Sequence, residues 1–175
     1  MIGDNIEKAI REVSDFPKPG INFKDITTIL LDSKLSLAIV EAFVSHLEGK
    51  NIDAIVGIES RGFLFGFLLA NKLGVPFIPV RKVGKLPGDT LKYKYNLEYG
   101  SAEVEIHKSD ILPGWNVVIH DDLLATGGTA CAASELIQKL GANIIAFTFV
   151  ISLDFLKGKE KLAIYCKDII SLKEY

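Results

Sequence analysis

The segment that most restricts the fold of this chain is Val117-Val118-Ile119-His120-Asp121-Asp122-Leu123-Leu124-Ala125-Thr126-Gly127-Gly128-Thr129. An apolar run ends in two adjacent acids, a small glycine-rich turn follows at once, and a helical pattern begins. A strand that feeds a short turn and then a helix belongs in a layered α/β sheet, where ligands gather at the carboxyl ends of the strands. The start of the helix presents unpaired N–H groups and the positive end of its dipole, which together suit a phosphate. The glycines of Ala125-Thr126-Gly127-Gly128-Thr129 let the backbone approach closely and take positive φ. The two threonine hydroxyls can donate to phosphate oxygens.

Asp121 and Asp122 repel an anion, so they must hold something beside it, either sugar hydroxyls or a metal ion. A phosphate next to a polyol suggests a ribose 5-phosphate. No lysine follows the glycines, so this is not a triphosphate P-loop, and the dinucleotide fingerprint is absent from the chain.

The rest of the chain alternates in the same way. Ile6, Ile10 and Val13 at i, i+4, i+7 predict a short opening helix, which Phe16-Pro17-Lys18-Pro19-Gly20 breaks. A second helix is expected from Ser33 to Leu47, with Leu35, Ala38, Ile39, Ala42 and Phe43 inward. Asp53 to Ile58 reads as a buried strand ending at Glu59-Ser60-Arg61-Gly62, a helix follows to Leu73, and Val75 to Val80 is the next strand. Leu91, Tyr93, Tyr95, Leu97 and Tyr99, then Ala102, Val104 and Ile106, alternate with polar residues around Gly100, which predicts an antiparallel arm. Asn116 to Asp121 is a strand, Gly128 to Leu140 a helix and Asn143 to Ile151 a strand. The expectation is α/β: one domain over 1–175, a parallel sheet flanked by helices on both faces, with an inserted antiparallel flap.

Composition removes other classes. A net charge of −2 gives no general attraction to nucleic acid or anionic membrane. The apolar run Phe63 to Ala70 falls far short of the ~20 residues of a membrane span. The first residues lack the basic stretch of a secretory signal, and Cys131 and Cys166 form neither a metal-like spacing nor a disulfide framework. A cytoplasmic protein is expected. Two basic places, Arg61 and Arg81-Lys82-Val83-Gly84-Lys85, each follow a strand of the sheet that ends in the phosphate turn, so both can serve an anion there.

Val117 to Thr129 resembles the PRPP-binding motif of the type I phosphoribosyltransferases, in the version associated with adenine-using members. The resemblance runs from Phe16 through Leu162 and includes Ser60-Arg61-Gly62-Phe63 and Arg81-Lys82-Val83-Gly84-Lys85-Leu86-Pro87-Gly88. It implies a Mg²⁺-dependent transfer of the 5-phosphoribosyl group from PRPP to adenine, giving AMP and pyrophosphate, by a homodimer. Asp121 and Asp122 would hold the ribose hydroxyls, and Ala125 to Thr129 the 5-phosphate. Ser60, Arg61, Arg81, Lys82 and Lys85 would meet pyrophosphate, with a cis peptide between Glu59 and Ser60. Mg²⁺ would be carried by PRPP and pyrophosphate rather than by protein ligands. Glu98, in Leu97-Glu98-Tyr99-Gly100, would act on a purine proton alongside Arg61 and Lys85 as catalytic groups, and Tyr99 would belong to the lid. An N-terminal hood carrying Ile21, Phe23 and Lys24 would take adenine, with Leu153 closing the other side.

The chain departs from that pattern in places. Lys24 stands where the family commonly has Arg, which removes a planar bidentate donor. His120 replaces a usually apolar or acidic residue, and strand alternation turns it away from Asp121 as a packed histidine. Ser152 occupies a frequent Glu position. Cys131, just inside a helix start, is expected to be a small core residue. A 6-oxopurine acceptor and a PRPP sensor without chemistry are the alternatives; Glu98, the basic loop and the absence of a DNA-binding helix pair favour catalysis over sensing, and a neutral, mostly apolar pocket with backbone readout suits adenine better than a 6-oxopurine.

Overall fold

The computed structural model of the chain describes residues 1–16, 18–20, 22–96 and 100–175. A seven-stranded sheet forms its centre, with β3 (Ala54–Ile58), β4 (Phe77–Lys82), β5 (Thr90–Asn96), β6 (Ser101–His107), β7 (Asn116–Leu124), β8 (Asn143–Ser152) and β9 (Ile169–Glu174) in the order β5-β6-β4-β3-β7-β8-β9. The five strands from β4 to β9 along that order run parallel. β5 and β6 form the expected antiparallel arm. The arm is not separate, because Arg81 and Lys82 of β4 pair with Glu105 and Val104 of β6 and extend the sheet.

Alternation along the strands divides the core between two faces. Val56, Val117, Ile119, Phe147 and Phe149 meet α4 (Gly128–Lys139) and α5 (Gly158–Leu162) on one side. Ile55, Val118, Ala146 and Val150 meet α1 (Ile2–Ala9), α2 (Ser33–His46) and α3 (Gly62–Leu73) on the other. Asp32 caps α2, its carboxylate accepting the N–H groups of Lys34 and Leu35 at 3.0 Å each.

Three expectations shift. The opening helix stops at Ala9, because Ile10 turns extended (φ −68°, ψ 134°), and Val13 falls in β1 (Arg11–Ser14), which pairs antiparallel with β2 (Asn22–Asp25). β7 runs three residues beyond its predicted end, since β8 is long enough to pair with it as far as Leu124. Both aspartates therefore stand on a strand. β9 was not foreseen in the pattern at all.

Candidate active site

β3 and β7 lie side by side, and their following strands leave in opposite directions, β4 on one side and β8 on the other. A crevice opens at such a switch point, beyond the carboxyl ends. Two turns border it, 59–61 after β3 and 125–127 after β7.

The second turn forms as its composition dictates. Gly127, at φ 78°, caps α4 in a left-handed conformation that a side chain would resist. The N–H groups of Gly127, Gly128 and Thr129 reach no acceptor among the described residues. With Asp121, Ala125 and Thr126 they border a hollow of about 90 Å³. Gly158 supports the turn from below. A methyl group there would lie 2.9 Å from Leu124 Cδ1 and would collide with the Ala125 carbonyl. The arm reaches over the same turn, with Tyr95 Oη 3.1 Å from Thr129 Oγ1.

The Glu59–Ser60 peptide in the first turn is cis. Arg61 Nε lies 2.9 Å from Asp122 Oδ2, and Asp122 is almost wholly buried. The guanidinium stands 5.9 Å from the centre of the Phe23 ring, which brings β2 over the crevice. Asp121 Oδ1 accepts the Asp122 N–H at 2.8 Å. Burial, then the negative charge of Asp122, push the Asp121 carboxyl well above its ordinary range.

Two carboxylates hold the basic segment. Glu59 accepts from the Lys82 N–H at 2.6 Å and from Arg81 Nη2 at 3.3 Å. Burial pushes its carboxyl up, but these donors and the neighbouring cations outweigh it and the net shift is downward. Glu105, 1 % exposed, accepts the N–H groups of Gly84, Lys85 and Leu86 at 2.8, 3.0 and 3.0 Å and the Thr90 hydroxyl at 3.0 Å. Burial again pushes its carboxyl up, and the four donors bring it below the ordinary value. Lys82 and Lys85 are exposed, and neither makes an ion pair among the described residues.

The hood residues divide. Phe23 packs edge-on against Phe16 at 5.2 Å, while Lys24 pairs with Glu12 and lies over the Tyr175 ring at 4.4 Å. Leu153, half-buried, donates its N–H to Leu124 O at 2.8 Å and so stands beside the end of β7. Ser152 is buried and donates to Asp154 at 2.7 Å. His120 is enclosed against Phe43 with Nδ1 2.9 Å from Thr148 Oγ1, and burial lowers its pKa to about 3, so the ring is neutral. Burial raises the Cys131 thiol pKa, as suits a core cysteine rather than a reactive one. Ile21, Glu98 and Tyr99 lie outside the described residues.

The fold thus brings Arg61, Asp121, Asp122, Phe23 and the turn after β7 to one crevice, with Arg81 and Lys82 at the end of β4 and Lys85 on the loop that follows it. Sequence reasoning gave no role to Glu59, Glu105, Tyr95 or Gly158. Only Tyr95 and Glu59 carried a signal, the first as an inward position of the arm and the second as a strand-end acid beside Arg61.

A model of the phosphoribosyl transferase domain matches residues 27–174. The adenine phosphoribosyltransferase of Cytophaga hutchinsonii is 51% identical over 175 residues, covering 100% of this chain and 97% of its own. That of Clostridium tetani is 52% identical over 171 residues, covering 98% of each. Among solved structures, adenine phosphoribosyltransferase from Thermoanaerobacter pseudethanolicus matches with a TM-score of 0.95 at 50% identity over 100% of both chains. The Saccharomyces cerevisiae enzyme, complexed with an imino-altritol bisphosphate and adenine, matches at 0.93 and 46% identity over 98% of each.

Proposed function

This chain belongs to the phosphoribosyl transferase domain family, and we propose that it salvages adenine, transferring the 5-phosphoribosyl group of PRPP to the base and releasing AMP and pyrophosphate. The observation that carries the reaction is the set of free N–H groups at Gly127, Gly128 and Thr129 beside two aspartates. The choice of base rests on full-length likeness to adenine-named enzymes.

In this reading Ala125 to Thr129 take the 5-phosphate on backbone amides and two hydroxyls. Asp121 and Asp122 accept from the ribose hydroxyls. Bond cleavage at the ribose carbon leaves positive charge on the ring and negative charge on pyrophosphate, and groups already in position stabilise both. Arg61 and Ser60 meet the pyrophosphate from one side, and Arg81, Lys82 and Lys85 from the other. Arg61 is ion-paired to Asp122, so the pyrophosphate turn and the ribose site are coupled before substrate arrives. Phe23 stacks on the purine, Ile21 reads its edge and Leu153 closes the far side. Lys24, paired with Glu12, stands with them in the hood. Glu98 exchanges the purine proton and Tyr99 shields the centre from water.

Mg²⁺ fits this site: the carboxylate oxygens of Asp121 and Asp122 are hard donors that can hold a hydrated ion through water. When bound, it neutralises charge on pyrophosphate. The protein acts as one domain in the cytoplasm. A homodimer would cover the exposed Leu64, Phe67 and Leu68 of α3; among the described residues no helix is long and apolar enough to cross a membrane.

An absorbance assay with PRPP, Mg²⁺ and each purine in turn tests the proposal. Turnover of adenine is expected. Turnover of a 6-oxopurine but not adenine overturns the choice of base, and PRPP binding without turnover of any purine overturns the enzyme.

A further inference from the structure

The loop that follows β4 has an unusual arrangement of donors. Its amides all face the protein: Lys82 N–H to Glu59, Val83 N–H to Glu103 O at 3.2 Å, and Gly84, Lys85 and Leu86 N–H to one oxygen of Glu105. The second Glu105 oxygen takes the Thr90 hydroxyl, at the first residue of the arm. Glu105 lies opposite Arg81 in the β4–β6 pairing, so its carboxylate rises from the sheet into the concave side of the loop. Arg81 Nη1 closes the loop above it by donating to Lys85 O at 3.2 Å. A carboxylate buried to this degree persists only with its lone pairs filled, and three convergent amides fill one oxygen. An anion approaching the loop therefore finds no free amide along 82–86. It meets the exposed ammonium groups of Lys82 and Lys85.

We infer that Glu105 is a positioning residue for the transfer reaction: by gathering the amides of Gly84, Lys85 and Leu86 it fixes the loop so that Lys82 and Lys85 project toward the pyrophosphate end of PRPP. This rests on the reading that the basic loop meets pyrophosphate. Glu105 does not touch substrate. Its loss acts through the placement of two lysines, and so falls on PRPP and pyrophosphate but not on adenine or the 5-phosphate.

Three proteins test it: Glu105→Gln, Glu105→Ala and the double variant Lys82→Ala, Lys85→Ala, each compared with the intact chain for KM of PRPP, inhibition by pyrophosphate, KM of adenine, AMP affinity, and hydrogen exchange at residues 84–86. Glu105→Gln keeps the shape and one acceptor oxygen, and so remains measurable if Glu105→Ala does not fold. Glu105→Gln is expected to raise KM for PRPP and the pyrophosphate inhibition constant about tenfold, the loss of a charged acceptor. Faster exchange at the three amides should accompany this, with adenine KM and AMP affinity unchanged. A lysine double variant with ordinary pyrophosphate inhibition overturns the pyrophosphate reading and the inference with it. A weakened lysine variant beside a Glu105→Gln protein of ordinary PRPP kinetics overturns the positioning role alone. Equal losses for adenine, AMP and PRPP in Glu105→Gln mean a general structural role and overturn it as well.

Discussion

Gly158→Ala isolates the support beneath the phosphate turn. The added methyl would stand 2.9 Å from Leu124 Cδ1 and 3.0 Å from Leu124 Cγ, and closer still to the carbonyl oxygen of Ala125. Carbon atoms in contact prefer about 3.5–4.0 Å, so the overlap exceeds half an ångström on the side chain alone. Leu124 is 2% exposed and has little room to swing away. Overpacking of this kind costs ~1–3 kcal/mol, which for a chain of this size lowers Tm by roughly 2–12 °C. The carbonyl belongs to the turn itself, so relief of the clash displaces the amides that would hold the 5-phosphate. A shift near 1 Å in a positioning element can cost ~10²-fold in rate, and an increase of about ten- to a hundredfold in KM for PRPP is expected for this variant. Steady-state kinetics with varied PRPP, beside a thermal melt, measures both quantities. Ile39→Val, in the core of α2 on the other face of the sheet, serves as the reference, losing ~0.5–1.5 kcal/mol without touching the turn. If Gly158→Ala loses stability as that reference does while its KM for PRPP stays within about twofold of the parent, about 0.4 kcal/mol at most, Gly158 is packing alone and the support role is refuted.

Two further outcomes follow from the buried groups. His120 is neutral in the fold down to about pH 3, whereas an unfolded histidine protonates below about pH 6.5. Between those values the unfolded chain binds one more proton, so stability is full above pH 6.5 and falls with pH by up to ~1.4 kcal/mol per unit from this group; urea unfolding at pH 6.5 and 5.0 should show a shallower loss in His120→Asn, and parallel losses would contradict it. Asp122→Asn removes the carboxylate that pairs with Arg61 and should lower kcat/KM for PRPP about ten- to a hundredfold, as for a hydrogen bond to a charged group, with adenine affinity nearly unchanged; equal loss for both ligands in parallel titrations would exclude a ribose role.

The parts of the molecule written in local pattern were readable from the sequence. β3, β7 and β8 are buried on both faces and appear as apolar runs, and the phosphate turn shows its glycines. Residues whose role depends on distant chain were not readable. Ile6, Ile10 and Val13 keep a helical spacing, but the pairing of β1 with β2 draws Val13 into a strand. Ile169–Glu174 alternates too briefly to stand out, and it is a strand because β8 offers it an edge. Glu103 and Glu105 look alike in the arm as outward acids; the loop at 84–86 folds over one of them and buries it. Gly158 gives no sign of its purpose until Ala125 lies against it.

The turn after β7 and the basic segment after β4 offer their donors in different ways. After β7 the donors are N–H groups fixed by the start of α4, unable to move without the helix. After β4 the donors are lysine tips on long flexible stems, anchored only at their base. If the 5-phosphate sits on the first and pyrophosphate on the second, as proposed, fixed donors would retain the group that stays with the product and flexible ones would release the group that must diffuse away.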